Sequence, residues 1–136
     1  MDIWSKNKRS EVMSRIRSKN TKPELFVRSL LFRMGYRFRL HRRDLPGSPD
    51  IVLPKYKSVI FVHGCFWHVH AGCKASTIPK TDRAKWERKL IGNAERDKKK
   101  IIELKKQGWK IFIVWECQLN DEYELKKQID KFLKTT

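Results

Sequence analysis

Acidic residues are scarce in this sequence: 15 Asp and Glu face 32 Lys and Arg across 136 residues, a formal charge of +17. A folded domain this basic repels itself unless a polyanion offsets the charge, so nucleic acid is the first partner to consider. A ribosomal or chromatin-like packing protein would share that balance, and charge alone does not separate the two. A membrane-surface role is disfavoured, because no helix gathers the charge opposite a strong apolar face. Long apolar runs are also missing. Nothing reads as a secretory leader or a bilayer span, which gives a cytoplasmic expectation. Cysteine is sparse, and three cysteines cannot all pair, so in a reducing compartment they read as thiols or metal ligands. Internal repeats, linkers and low-complexity tracts are absent, and the length suits one compact domain, 1–136, better than two.

The pattern along the chain predicts α-β-β-β-α-β-α. Residues 1–20 are mostly basic, and Val12, Met13 and Ile16 suit a short helix with a narrow apolar stripe. In "NTKPELFVRSLLFRMGY", Asn20 or Thr21 can cap, Pro23 suits the first turn, Glu24 suits the N-terminal dipole and Gly35 is a stop. Leu25, Phe26, Ser29, Leu30 and Arg33 divide that helix into apolar and polar faces. "YRFRLH" alternates as an edge strand does, "RRDLPGSPD" is turn chemistry, and "IVLP" and "SVIFV" are strands, the second buried on both faces. A helix over 81–107 should turn Trp86, Leu90, Ile101, Ile102 and Leu104 inward, break near Gly92 and end at Gly108. "KIFIVWEC" is a further central strand, and "EYELKKQIDKFL" a closing helix with Leu125, Ile129, Phe132 and Leu133 on one side. The fold class is therefore α/β, a mixed central sheet flanked by helices.

The chemistry concentrates in "VHGCFWHVHAGC", residues 62–73, with three histidines and two cysteines in twelve positions. Structural zinc takes four Cys or His ligands in a tetrahedron. Cys65, Cys73 and one loop histidine supply three, and Cys117, the remaining thiol, supplies a fourth from a distant strand end. His70, in a compact H-x-x-C with Cys73, is preferred to His68. Three buried free thiols are the plainer alternative. His63 and His68 are then left over beside Asp50, which opens a strand behind a stiff Pro-Gly-Ser-Pro turn. Nucleases of the PD-(D/E)xK type use such a Pro-Asp to hold Mg²⁺, with an acid and a lysine on the next strand. "SVIFVHG" carries neither, and delivers a histidine instead. One carboxylate with two histidines can still run metal-assisted phosphodiester hydrolysis, an imidazole taking the proton of water. A turn-capping role for Asp50 is the plainer alternative. Phe66 and Trp67 on a metal-pinned loop should point apart and, with Trp86, form an aromatic platform that wedges between base steps, against a core-packing alternative.

Read together, "LPGSPDIVLP", "VIFVHGCFWHVHAGC", "KWERKLIGNAERDKKK" and "VWEC", in that order, resemble the Vsr family of very-short-patch repair endonucleases over nearly the whole chain. The resemblance implies a PD-(D/E)xK-like fold and an enzyme that nicks duplex DNA 5′ to the thymine of a T:G mismatch left by deaminated 5-methylcytosine. It implies that Asp50 and the backbone carbonyl of Val62 hold Mg²⁺, that His68 activates water, that His63 is a second catalytic histidine, and that Glu24 assists. It gives Cys65, His70, Cys73 and Cys117 as ligands of a structural Zn²⁺. Phe66, Trp67 and Trp86 match the intercalating aromatics, Lys89 and Asn93 match positions near the mismatch, and residues 1–20 match a DNA-clamping arm. Val62 stands where some members carry threonine, a change that a carbonyl ligand tolerates, and the spacing from His70 to Cys73 varies among members. The expected partner is mismatched duplex DNA bound by a monomer at the nucleoid, with the mismatch-repair machinery as a further partner. Two rivals remain: a restriction-type nuclease of the same fold cutting matched sites, and a zinc-stapled DNA-binding module without catalysis.

Overall fold

The computed structural model describes residues 21–74 and 77–135. The basic arm and the short helix expected within 1–20 lie outside the described residues. The first helix, α1 (Lys22–Arg33), starts where Thr21 Oγ1 accepts the Glu24 N–H at 3.3 Å. It stops before Gly35, whose φ of +93° suits glycine. Its buried stripe is Glu24, Val27, Leu30 and Leu31. Of the expected apolar face, Leu30 is buried and Phe26 packs against the core, but Leu25 is 47 % exposed, because the i, i+3, i+7 row through Glu24 is the one that meets the sheet.

A sheet in the order β1-β2-β3-β4 follows. The alternating "YRFRLH" yields only β1 (Arg39–Leu40), both residues exposed, since His41 turns into the left-handed region at φ +48°. β1 runs antiparallel to β2 (Ile51–Leu53), and β2 antiparallel to β3 (Ser58–His63) with Ile51 opposite Ile60. A single helical turn, Pro54–Tyr56, joins β2 to β3. β3 lies parallel to β4 (Lys110–Trp115), with His63 opposite Trp115. Parallel neighbours need a long crossover, and α2 (Arg83–Lys106) provides it.

Helix α2 is continuous for 24 residues, so Gly92 does not break it. An interior glycine costs about 1 kcal/mol, and burial of Leu90 and Leu104 holds both ends of the helix to the protein. Of the residues expected inward, Ile102 is 52 % exposed, two positions off the row that carries Leu104. β4 also ends sooner than expected: Cys117 lies in the helical turn Glu116–Asn120. α3 (Glu122–Lys134) closes the fold, capped by Asp121, whose side chain accepts the Glu124 N–H at 3.1 Å.

Period-two alternation sends β2, β3 and β4 side chains to two cores. Ile51, Leu53, Ile60 and Val114 meet α1 and α3, including Leu30, Leu31, Leu125 and Ile129. Val52, Val59 and Phe61 meet Leu104 and Trp109 on the other face. β3 is therefore buried on both sides, as its unbroken apolar run predicts. His63, in phase with Val59 and Phe61, emerges on the α2 face at the strand's end.

Candidate active site

β2 begins where β3 ends, so Asp50 and Val62 become neighbours. Asp50 Oδ2 accepts the Val62 N–H at 2.8 Å. Burial pushes the Asp50 carboxyl up to about 7; the Val62 N–H works against that shift, and nearby Glu24 adds to it. Glu24 is buried in α1, 3.3 Å from Arg28 Nη2 and 3.0 Å from His41 Nε2. Ligand atoms of Glu24, His41 and Asp50 all lie within 4.8 Å of one another. Two crowded carboxyl groups, one of them slow to ionise because of its burial, form a site that a hard cation would relieve, and Mg²⁺ takes oxygen ligands.

Beside this lies a histidine stack. The His63 and His68 rings are 3.8 Å apart and nearly parallel, at 6°. His63 is buried, which drives its imidazole down to about 4, and its Nδ1 has no hydrogen-bond partner among the described residues. His68 Nδ1 lies 2.6 Å from Asp97 Oδ2. Burial alone would raise Asp97, but the hydrogen bond and charge of His68 outweigh it and hold the carboxyl below its ordinary value. Asp50, Val62, His63, His68, Asp97 and Lys100, with the turn residues Gly47 and Ser48 and with His41, Arg43 and Phe61, line one open cavity of about 440 Å³.

Cys65, His70, Cys73 and Cys117 form the second cluster, their ligating atoms also within 4.8 Å of one another. The loop reaches this shape through tight turns, with His70 N–H donating to Cys65 O at 2.9 Å and Cys73 N–H to His70 O at 3.3 Å. His70 stacks on Trp115 at 4.2 Å, and its Nδ1 is 3.4 Å from Cys117 Sγ. Burial lifts the Cys65 thiol to about 11, so an ionised sulfur there needs a cation. A tetrahedral zinc, with ligands at roughly 2.0–2.3 Å, matches this donor set and spacing.

The aromatics adjoin the loop. Phe66, Trp67 and Trp86 are half-buried and belong to neither core. Phe66 and Trp67 do not point apart as expected: their rings meet at 5.0 Å and both converge on Trp86, at 5.4 and 5.9 Å. Mutual apolar contact wins over the divergence that sequence adjacency favours. Lys89 Nζ lies 5.2 Å from the Trp67 ring centre, and Asn93 Nδ2 donates to Trp67 O at 3.1 Å.

The fold thus gathers the nominated site residues from Glu24 to Cys117 at one end of the sheet, in three adjoining groups. It adds two that were missed, Asp97 and His41. Asp97 had a usable signal, standing four residues after Asn93 on the same helical face. His41 had none, because a one-residue departure from β1 decides where its ring goes. With these, all four histidines and all three cysteines belong to the site.

Comparison with known proteins agrees with this geometry. Residues 1–74 match the family described as DNA mismatch endonuclease Vsr. The type II nicking enzyme V.XorIIP of Xanthomonas oryzae is 48 % identical over 97 % of this chain and 96 % of its own. The DNA mismatch endonuclease Vsr of Escherichia coli K12 is 41 % identical over 91 % of this chain and 79 % of its own. Among solved structures, the catalytic domain of the homing endonuclease I-Bth0305I superposes with a TM-score of 0.59 at 26 % identity, covering 83 % of this chain and 94 % of that one. A histidine-rich cavity closing one end of a mixed sheet, in a sequence this similar to nicking enzymes, leaves one assignment: the chain belongs to the Vsr family of DNA mismatch endonucleases.

Proposed function

We propose that this DNA endonuclease, a hydrolase by family, nicks one strand of duplex DNA 5′ to the thymine of a T:G mismatch, with Mg²⁺ at Asp50. The observation that carries the reading is the arrangement of one cavity: a carboxyl of raised pKa beside an imidazole whose far nitrogen is anchored to an acid. The sheet reads as a PD-(D/E)xK-like core, with Pro49-Asp50 opening β2 against β3. Residues 1–136 act as one domain, as a monomer, since one nick needs one active site, and in the cytoplasm where the DNA lies. No helix among the described residues is long and apolar enough to cross a membrane.

Asp50, Glu24 and the Val62 carbonyl would hold Mg²⁺. A strand residue's N–H and C=O face the same neighbour, so the carbonyl looks to the side where the Val62 N–H meets Asp50. Bound there, the ion supplies positive charge to the scissile phosphate. His68 acts as general base. With Nδ1–H donating to Asp97, its Nε2 keeps a lone pair for the proton of the attacking water, and Asp97 steadies the imidazolium that results. The neutral His63 ring stacked beneath it fixes the plane of His68 without adding a second charge.

Selection of the mismatch rests on Phe66, Trp67 and Trp86. A wobble pair costs less to open than a matched pair, so a wedge chooses it partly by deformability. Cys65, His70, Cys73 and Cys117 on zinc would keep the wedge rigid, and Asn93 braces it from α2. Lys89 stands over the same rings, near the mismatch. The test is nicking of end-labelled duplexes, matched and T:G, with Mg²⁺. A single cut in the T strand of the T:G duplex alone is expected. Double-strand cleavage of matched DNA would mean a restriction-type enzyme, and binding without any cut would mean a non-catalytic module.

A further inference from the structure

The strand beside Asp50 offers no lysine, but the cavity contains one from another direction. Lys100 lies on α2, three residues beyond Asp97, and lines the cavity with Asp50, His63 and His68. Its stem is fixed by contact with the turn that carries Asp50. A methyl group built on Gly47 would lie 2.6, 2.7 and 2.9 Å from its Cδ, Cγ and Cβ. Gly47, at φ +75°, is therefore doubly required: for its backbone conformation and for the room its missing side chain gives Lys100.

The ammonium has a second unusual property. Most acids near a basic cavity are paired, as Asp97 is with His68 and Glu24 with Arg28. Lys100 makes no hydrogen bond or ion pair among the described residues, although its charge is felt at both His63 and Asp97. A half-buried cation held in place, unpaired and facing the reacting groups, is prepared for an anion brought by the substrate. Arg43 also lines the cavity but stands exposed on the turn, with no packed stem to fix it as Lys100 has against Gly47.

We propose that Lys100 is a catalytic residue whose ammonium contacts a non-bridging oxygen of the scissile phosphate and stabilises the charge that builds there in the transition state. The assignment rests on the nuclease reading above. The chemistry is that of a preorganised donor aimed where charge develops, in a site partly shielded from water. Gly47 is its positioning residue, because the same turn sets Asp50 and the lysine stem against each other.

The experiment is single-turnover nicking of a T:G duplex in saturating Mg²⁺, paired with duplex affinity in Mg²⁺-free buffer. It compares wild type, Lys100→Met, Lys100→Arg and a charge-matched control, Lys106→Met, on the exposed end of α2. Lys100→Met keeps the stem and removes the charge, so its rate should fall on the order of 10²-fold. Its affinity should change less than about tenfold and its melting temperature should hold. Lys100→Arg should recover part of the rate, and Lys106→Met should nick like wild type. Lys100→Met at the wild-type rate overturns the assignment, as does a loss confined to affinity, or a rate loss that follows a lowered melting temperature and is not recovered by arginine. A wild-type protein that fails to nick overturns the nuclease reading and this assignment with it, whereas an active wild type with an equally active Lys100→Met overturns this assignment alone.

Discussion

Two clusters flank the end of β3 and differ in almost every physical respect. The Cys65–His70–Cys73–Cys117 group is soft, three of its four members come from one tight loop, and it ties that loop to the strand end at Cys117. The Glu24–His41–Asp50 group is richer in oxygen, is drawn from α1 and the two ends of the β1–β2 connection, and opens onto the cavity through His41 and Asp50. Sulfur with imidazole suits a closed zinc site that contributes folding energy; carboxylates suit Mg²⁺, which binds weakly and keeps room for substrate. One cluster can therefore build the site and the other can work in it, with the His63–His68 stack between them.

That division can be broken from either side. The largest effect is expected at Asp50: Asp50→Ala should reduce nicking to background, while zinc content, measured by elemental analysis, stays at one per chain. Next comes Cys117→Ser, which should lose zinc, with a fall in stability of several kcal/mol read by thermal melting, because ligand binding and folding share one free energy here. His68→Ala should slow nicking by about 10²–10⁴-fold, the usual worth of a general base, with metal content unchanged.

Smaller effects sharpen the contrast. Burial raises the Asp50 carboxyl to about 7, so Mg²⁺ must displace its proton below that pH, and the apparent Kd for Mg²⁺ should rise about fivefold between pH 7 and pH 6. Calorimetric titration reads this directly. The sign for folding follows from the same shift. An aspartate near 3.9 when unfolded and near 7 when folded contributes stability at low pH that is lost as pH rises through 7. In Mg²⁺-free buffer at pH 8, Asp50→Asn should therefore melt higher than wild type. Trp67→Ala should lower the T:G preference by more than its small loss of melting temperature implies, since Trp67 lies outside both cores. A large fall in melting temperature with unchanged selectivity would make it a packing residue.

What could be read in advance followed from local chemistry. Thr21, Gly35 and Gly108 act within one turn of themselves, so the caps and stops around them were legible. The two-faced burial of "SVIFV" needs only its composition. The failures depend on tertiary choices. Leu25 was expected inward because it is apolar, yet the helix rotates to bring Glu24 to the site. Gly92 reads as a break only if helix propensity is judged without the packing that anchors Leu90 and Leu104. Asp97 carried one signal, its position four residues after Asn93 on the same helical face, but its pairing with His68 was hidden, because that partner lies 29 residues away in the sequence.

The division of labour between the clusters is tested most directly on the wild-type protein, by gel filtration into metal-free buffer followed by paired elemental analysis and nicking of a T:G duplex. The account predicts one zinc retained per chain, no cutting, and full recovery on adding Mg²⁺ but not on adding more zinc. A stably folded protein without zinc, or one that cuts at its full rate before any Mg²⁺ is returned, would contradict it.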